Sequence, residues 1–330
     1  MDTSTLLLTR NQVSELLKIE ECMTAVEESF RLQAEGRVLP PKILGIHVQG
    51  GGFHIKAGVM NLGQNYFVAK TNANFPNNMI NHGLPTIQGV IVVCDANNGR
   101  VLALMDSMEI TIIRTGAATG VAAKYLARQD AKIATICGCG NQGRISLKAL
   151  LTVRKLEKVY AYDIDPTRKQ LFSKELAKEL LVSIEPVDDL GASVKLSDIC
   201  ITCTTSKTPF LNKEDVKPGT FIAAVGADSE GKQELHPSLL ASGKVVVDLL
   251  EQSASIGELH HALEKGVMTR ADVYAELGEI IAGHKAGRTS DEEIIVFDST
   301  GTALQDVAAS AIVYEKAVAA WIGTKLNFAD

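Results

Sequence analysis

The residues Gly138-Cys139-Gly140-Asn141-Gln142-Gly143 spell GxGxxG. In such a run the first glycine permits a tight turn, the second lets the backbone approach a pyrophosphate, and the third lets helix and strand pack closely. The β-rich run Ile133 to Cys137 precedes it and a helix-like run, Ile145 to Leu151, follows. Free N–H groups at that helix start would face an anion. A second β-rich run, Val159 to Tyr162, leads into Asp163, 20 residues after Gly143. An acid there accepts from both ribose hydroxyls and repels a 2′-phosphate. The spacing therefore predicts NAD rather than NADP, with Arg168 a further cofactor contact able to reach a phosphate. A glycine turn in an unrelated α/β protein would explain the motif, but not the agreement of strand, helix and acid.

Other ionisable residues stand in apolar settings. Lys70, in Tyr66-Phe67-Val68-Ala69-Lys70-Thr71, shares by period 2 the face of Tyr66 and Val68. A lysine there needs a partner or snorkels from an edge. Arg114 follows Ile112-Ile113 at an apolar helix start and alone reads as half of a structural ion pair. Asp228 follows the strand-like run ending Val225-Gly226. Ligands of α/β sheets bind at such ends, although aspartate is also a common turn residue. His54 and Lys56 alternate with Phe53, Ile55, Ala57 and Val59, which places them on the non-apolar face. That face is either solvated or a second cationic site. Lys42 follows two prolines and alone reads as a surface lysine.

Cys200-Ile201-Thr202-Cys203 lies in a predicted strand, so its thiols point to opposite faces, and no second pair completes a zinc site. His260-His261 has no evident third ligand. No metal is expected.

These residues need a scaffold. The 330-residue length suggests two domains. Lys+Arg number 33 against Asp+Glu 39, leaving no basic excess for nucleic acid. No apolar run approaches the roughly 20 residues of a spanning helix, and the N-terminus, with Asp2 and only Leu6 to Leu8 apolar, does not read as a signal peptide. Six cysteines without secreted-scaffold density suggest a cytoplasmic, thiol-reduced protein. Glu20 to Glu35 has helical spacing. From Ile43 to Met105 the texture is strand-like, with a hairpin signal at Asn97-Asn98-Gly99. Glu109 to Arg128 reads as a long helix with the small patch Gly116 to Gly120. Beyond Lys132 short β runs alternate with helices, which argues for a parallel α/β sheet. The strand-like Ile294 to Phe297 precedes a last helix, Thr302 to Trp321. The expected division is 1–128 with 302–330, and 129–301.

Further segments carry a resemblance. Leu84-Pro85-Thr86, Ala103-Leu104-Met105-Asp106, Arg114-Thr115-Gly116-Ala117-Ala118, Gly226-Ala227-Asp228 with Gly231-Lys232-Gln233-Glu234-Leu235, Ala275 to Gly283, and Phe297-Asp298-Ser299-Thr300-Gly301 resemble the ornithine cyclodeaminase/μ-crystallin family. The resemblance spans nearly the whole chain. It implies an α/β protein with a Rossmann dinucleotide-binding domain and an α+β substrate and dimerisation domain, assembled as a homodimer whose sheets join, with the C-terminal helix packed on the substrate domain. It makes Lys70 the active-site lysine, contacting a substrate carboxylate and polarising an imine. Arg114 becomes a ligand of that carboxylate or of the pyrophosphate, and Lys42 a carboxylate ligand. Asp228 would bind the substrate nitrogen and shuttle a proton. Cofactor contacts are implied at Thr86, Thr115, Thr204, Thr205, Gly226, Ser299 and Gly301, beside the glycine motif with Asn141 and Gln142.

The family includes ornithine cyclodeaminases, an archaeal-type alanine dehydrogenase, ketimine and iminosuccinate reductases, and hormone-binding μ-crystallins. Cyclodeaminases carry an acid near the strand position where this chain has His54 and Lys56. A second cation there suits a second substrate carboxylate, which favours reduction of iminosuccinate to aspartate, or an alanine-dehydrogenase-like reaction. Ornithine cyclodeamination to proline and ammonia, and a nucleotide-dependent carrier role, are the alternatives.

Overall fold

The computed structural model describes residues 4–327; Asp2 lies outside them. Two compact units emerge, Met1–Arg114 with Thr302–Asp330, and Thr115–Gly301. The elements of the first run are β1 (Thr5–Leu8), α1 (Arg10–Leu16), α2 (Ile19–Ala34), β2 (Lys42–Val48), β3 (Gly51–Asn61), β4 (Asn65–Asn74), α3 (Asn78–His82), β5 (Ile87–Asp95), β6 (Val101–Asp106) and the start of α4 (Met108–Leu126). The second contains β7 (Ile133–Cys137), α5 (Asn141–Val153), β8 (Lys158–Tyr162), α6 (Pro166–Leu180), β9 (Ser183–Pro186), α7 (Leu190–Leu196), β10 (Ile199–Thr202), β11 (Phe221–Ala224), α8 (Pro237–Ser242), β12 (Lys244–Val247), α9 (Leu250–Ile256), α10 (Glu258–Glu264), β13 (Ala275–Glu276), α11 (Leu277–Ile281) and β14 (Ile295–Asp298). The last elements, α12 (Ala303–Ala320) and β15 (Thr324–Leu326), belong to the first unit.

The first division falls inside α4, not at its end near residue 129. The small-residue patch explains this. A Cβ at Gly116 would lie 2.7 Å from Ile145, and Ser146 donates to the Thr119 hydroxyl at 3.5 Å. The second half of α4 therefore packs with α5.

The first unit is a seven-stranded sheet in the order β15-β1-β6-β5-β4-β3-β2. β1 and β6 run parallel and every other pair antiparallel. Gly99, at φ +80°, closes the β5–β6 turn, a conformation that favours glycine. Helix α12 covers β3 and β4, with α2 against its side. It lies close enough that a Cβ on Gly58 would meet Leu304 at 3.3 Å.

The alternation along β3 is present, and of the two readings of the Lys56 face the solvated one does not hold. Lys56, Gly58 and Met60 are buried beneath α12, while Phe53 on the apolar face is exposed. Period 2 separates two faces but does not say which one a helix covers.

The second unit is an eight-stranded parallel sheet, β13-β12-β14-β11-β10-β7-β8-β9. Strand order reverses at β7, with β8 and β9 to one side and β10, β11 and β14 to the other. This is the Rossmann arrangement, and ligands bind at the carboxyl ends of strands flanking such a switch. No helix among the described residues is long and apolar enough to cross a membrane.

Candidate functional site

In the second unit the glycine motif sits at the carboxyl end of β7. Gly138 adopts φ +105°, and a Cβ there would come within 2.8 Å of the Cys203 carbonyl at the end of β10. A Cβ on Gly143 would lie 2.1 Å from the Gly138 carbonyl. Around Gly140 there is open space, and it caps α5 with no side-chain bond and no acid in the first turn. That combination leaves donors for an anion, so the residues fit a dinucleotide pyrophosphate. Asn141 is exposed and Gln142 half-buried at the same helix start. Asp163, just beyond β8, accepts from the Cys139 amide at 2.9 Å and from the Asp165 amide at 2.9 Å. The acid expected at the ribose is thus held beside the glycine loop. Arg168 is exposed on the first turn of α6.

The remaining predicted residues of this unit follow the neighbouring strands. Thr204 and the exposed Thr205 follow β10, Gly226 and Asp228 follow β11, and Ser299 and Gly301 follow β14. Thr115, on α4, is buried. Asp228 is exposed, with Lys232 at 2.6 Å.

A set of buried acids that the sequence reading passed over fixes these loops. Glu234 accepts from the Thr204 amide at 2.6 Å and the Gly226 amide at 3.1 Å. Glu258 accepts from the amides of Glu234 and Leu235 at 2.7 and 3.0 Å. Asp298 accepts from the amides of Glu258 and Leu259 at 3.1 and 2.9 Å, and Asp248 from those of Thr300 and Gly301 at 2.8 and 2.7 Å. Burial pushes Glu234 and Glu258 up, Glu258 with help from Glu234 and Asp298. Burial also carries Asp298 to about 7. Two of these acids follow apolar strands directly, Val245-Val246-Val247-Asp248 and Ile295-Val296-Phe297-Asp298, which was a readable signal.

In the first unit the sheet and α12 gather charge. Lys56 and Lys70 are direct cross-strand neighbours on β3 and β4, 8% and 3% exposed. Lys70 Nζ lies 2.7 Å from Asp306 Oδ1, and Arg114 Nε 3.2 Å from the same oxygen. Arg114 also donates to Gln305 Oε1 at 3.0 Å. Burial pulls the Lys70 ammonium down to about 7, opposed by Asp306 and reinforced by Arg114 and Lys56. The Asp306 carboxyl is held below its ordinary value by Lys70, Arg114 and Lys56, against the effect of burial. Three basic side chains thus surround one carboxylate. Asp306 was not anticipated, although an acid amid the Ala and Val residues after Thr302 is costly to bury unless paired and so pointed to a buried cation.

His54 is half-buried on the Lys56 side of β3. Lys42 is exposed at the first residue of β2, in register with Ala57 and not with Lys56; the structure does not bring it into the group. Thr86 is exposed just before β5. The expectation that His260-His261 lacks a third ligand is corrected: Glu264, one turn on, places a carboxylate oxygen within 4.8 Å of both imidazoles. The His261 Nε2 is 2.8 Å from the Lys232 carbonyl, so one ring nitrogen is already engaged. All six cysteines are free thiols.

Similarity to known proteins runs along the whole of this framework. The chain is 40% identical over 326 residues to the alanine dehydrogenase of Archaeoglobus fulgidus, covering 98% of each. An archaeal alanine dehydrogenase dimer with bound NAD superposes with a TM-score of 0.94 at 39% identity, covering 98% of this chain and 99% of the other. The iminosuccinate reductase of Paracoccus denitrificans in complex with NAD+ superposes with a TM-score of 0.90 at 31% identity, covering 98% and 100%. Residues 3–320 match the sequence model of one family, and the chain belongs to the ornithine cyclodeaminase/mu-crystallin family.

Proposed function

We propose that the protein is an NAD(H)-dependent oxidoreductase of CH–NH2 and C=N groups, moving a hydride between nicotinamide and the α-carbon of a 2-imino acid. The observation that carries this reading is the buried group Lys56, Lys70, Arg114 and Asp306. Within this group three cations face one carboxylate, a balance of charge that suits an anionic substrate. With Lys70 protonated, two carboxylates match that balance, which favours iminosuccinate, reduced to aspartate, over a monocarboxylic imine such as that of alanine. The 38%-identical iminosuccinate reductase relative supports the same class.

The bound cofactor supplies or takes the hydride. The protein supplies placement and charge. The Gly140 cradle and α5 hold the pyrophosphate, and Asp163 the ribose. Arg114 and Lys56 hold carboxylate. The Lys70 ammonium draws electron density from the imine and makes its carbon the better hydride acceptor. Asp228 passes a proton to the nitrogen as it becomes an amine. The protein acts in the cytoplasm as a homodimer.

The test is NADH absorbance decay with oxaloacetate, pyruvate, glyoxylate or 2-oxoglutarate, each with and without ammonium. Ammonium-dependent oxidation led by oxaloacetate is the expected result. Pyruvate in the lead would move the assignment to alanine. A flat panel, with turnover of ornithine on catalytic NAD, would replace this reading by cyclodeamination.

A further inference from the structure

We infer that Asp306 is a positioning residue of the proposed reaction: a single carboxylate oxygen on α12 holds Lys70 and Arg114 together and sets the charge with which they meet an anionic substrate. The inference rests on the imine-reduction reading, because it is the work of Lys70 in that reaction that Asp306 conditions.

Asp306 is the fourth residue of α12 and is 1% exposed. Its position in a helix of Ala and Val buries a charge that only close partners offset. Both partners use one atom, Oδ1, with Lys70 Nζ at 2.7 Å and Arg114 Nε at 3.2 Å. The preceding residue, Gln305, takes Arg114 from a second nitrogen at 3.0 Å. Two successive residues of one helix turn therefore engage the guanidinium, Gln305 by a hydrogen bond and Asp306 by an ion pair, and Asp306 also holds the lysine that arrives from β4.

Asp306 Oδ2, Gln305 Nε2 and Arg114 Nε are buried without a hydrogen-bond partner in the protein. One acceptor and two donors remain unsatisfied in this group. A simple closed ion pair would use these groups up; here they remain available to a ligand.

The charged and titratable groups facing Lys70 are Asp306 on α12, Arg114 on α4 and Lys56 on β3. On α2, Cys22 also feels Arg114 and Asp306, but burial carries its thiol up to about 12 and leaves it neutral. Asp306 is the one acid among these groups. Burial, Arg114 and Lys56 favour the free amine of Lys70, and Asp306 favours the ammonium. Its removal moves the loss of the Lys70 proton to lower pH. Misplaced cations still attract an anionic substrate, so chemistry suffers more than binding.

The experiment compares wild type, Asp306→Asn and Asp306→Glu in three measurements. Competitive acylation of Lys70 across pH, read by mass spectrometry, follows its proton directly. The pH profiles of kcat and KM follow the reaction. NADH fluorescence checks that the cofactor still binds. For Asp306→Asn the Lys70 midpoint is expected to fall by about one pH unit or more. We expect kcat to fall by roughly tenfold or more, with KM unchanged or lower and NADH binding retained. Asp306→Glu keeps the charge but moves it, so the midpoint should stay near wild type while kcat drops. A folded Asp306→Asn protein with the wild-type midpoint and kcat overturns the inference. If Asp306→Asn does not fold, Asp306→Glu with wild-type kcat overturns it instead. If wild type turns over no imino acid, the functional proposal fails, and the labelling still decides whether Asp306 governs Lys70.

Discussion

On the proposed reading, Lys56 is the buried charge that selects the substrate. It is 8% exposed beside Lys70, a setting that suits a bound anion. Replacing it with Met preserves length and apolar bulk while removing one positive charge. Lys56→Met is expected to cut kcat/KM for oxaloacetate with ammonium by roughly tenfold to a hundredfold, the worth of a hydrogen bond to a charged group. The value for pyruvate should change little. Steady-state rates on the two substrates give the ratio, and an unchanged preference would remove Lys56 from the substrate site. Legibility at this scale followed the company a residue keeps. Lys70 and Arg114 stood out because they interrupt apolar runs. Asp306 interrupts one as well, but its partners are 236 and 192 positions away in sequence. No local pattern joins an acid to a lysine across such a distance. The surroundings of Lys56 stayed open between solvent and a cationic site because alternation does not reveal where α12 lies.

At the scale of elements, the turn from β7 into α5 carries most of the cofactor reading, and its glycines separate binding from folding. Gly140 has open space around the position of a Cβ and an ordinary negative φ of −84°. Gly140→Val should alter stability by no more than about 1 kcal/mol, the scale of an N-cap change. The new side chain would occupy the space where the backbone approaches pyrophosphate, so NADH affinity should fall by roughly tenfold or more. Gly143 differs, since its Cβ would press on the Gly138 carbonyl at 2.1 Å. Gly143→Ala should destabilise the fold by about 1–3 kcal/mol, as overpacking does. Thermal melts without cofactor and fluorescence titration with NADH distinguish the two effects. Equal losses of melting temperature would show that Gly140 is also a packing residue. This turn was readable because strand, glycine spacing and acid all lie within one stretch of chain. The carboxylates that pin the neighbouring loops were not. Glu234 serves amides of Thr204 and Gly226, a pairing that exists only after β10 and β11 lie side by side.

For the whole molecule, the order of β and α runs announced a parallel sheet, whereas the short edge strands β9, β13 and β15, of four, two and three residues, left no pattern long enough to read. The face of β3 that the alternation marked as apolar has its own meaning. Leu44 and Ile46 on β2 are register partners of Ile55 and Phe53 on β3. Thr71 pairs with Ile55 and with Val90 on β5, so the same outer face continues across four strands. Leu44, Ile46, Phe53 and Val90 are all exposed in the single chain, and β2 is an edge strand whose every residue is exposed. Soluble chains seldom leave such a face or an unguarded edge open. Covering it with a second copy of the same sheet satisfies both the apolar surface and the edge, under a two-fold axis that makes the interface self-complementary. Light scattering is expected to give a mass of about twice 35.4 kDa for wild type. Ile46→Asp should bring the mass to that of one chain with little loss of the monomer's own fold, because Ile46 is already 46% exposed there and substitutions away from the core usually cost little. A wild-type mass of 35.4 kDa would instead leave the outer face as the surface of a monomer, and the homodimer would fall with it.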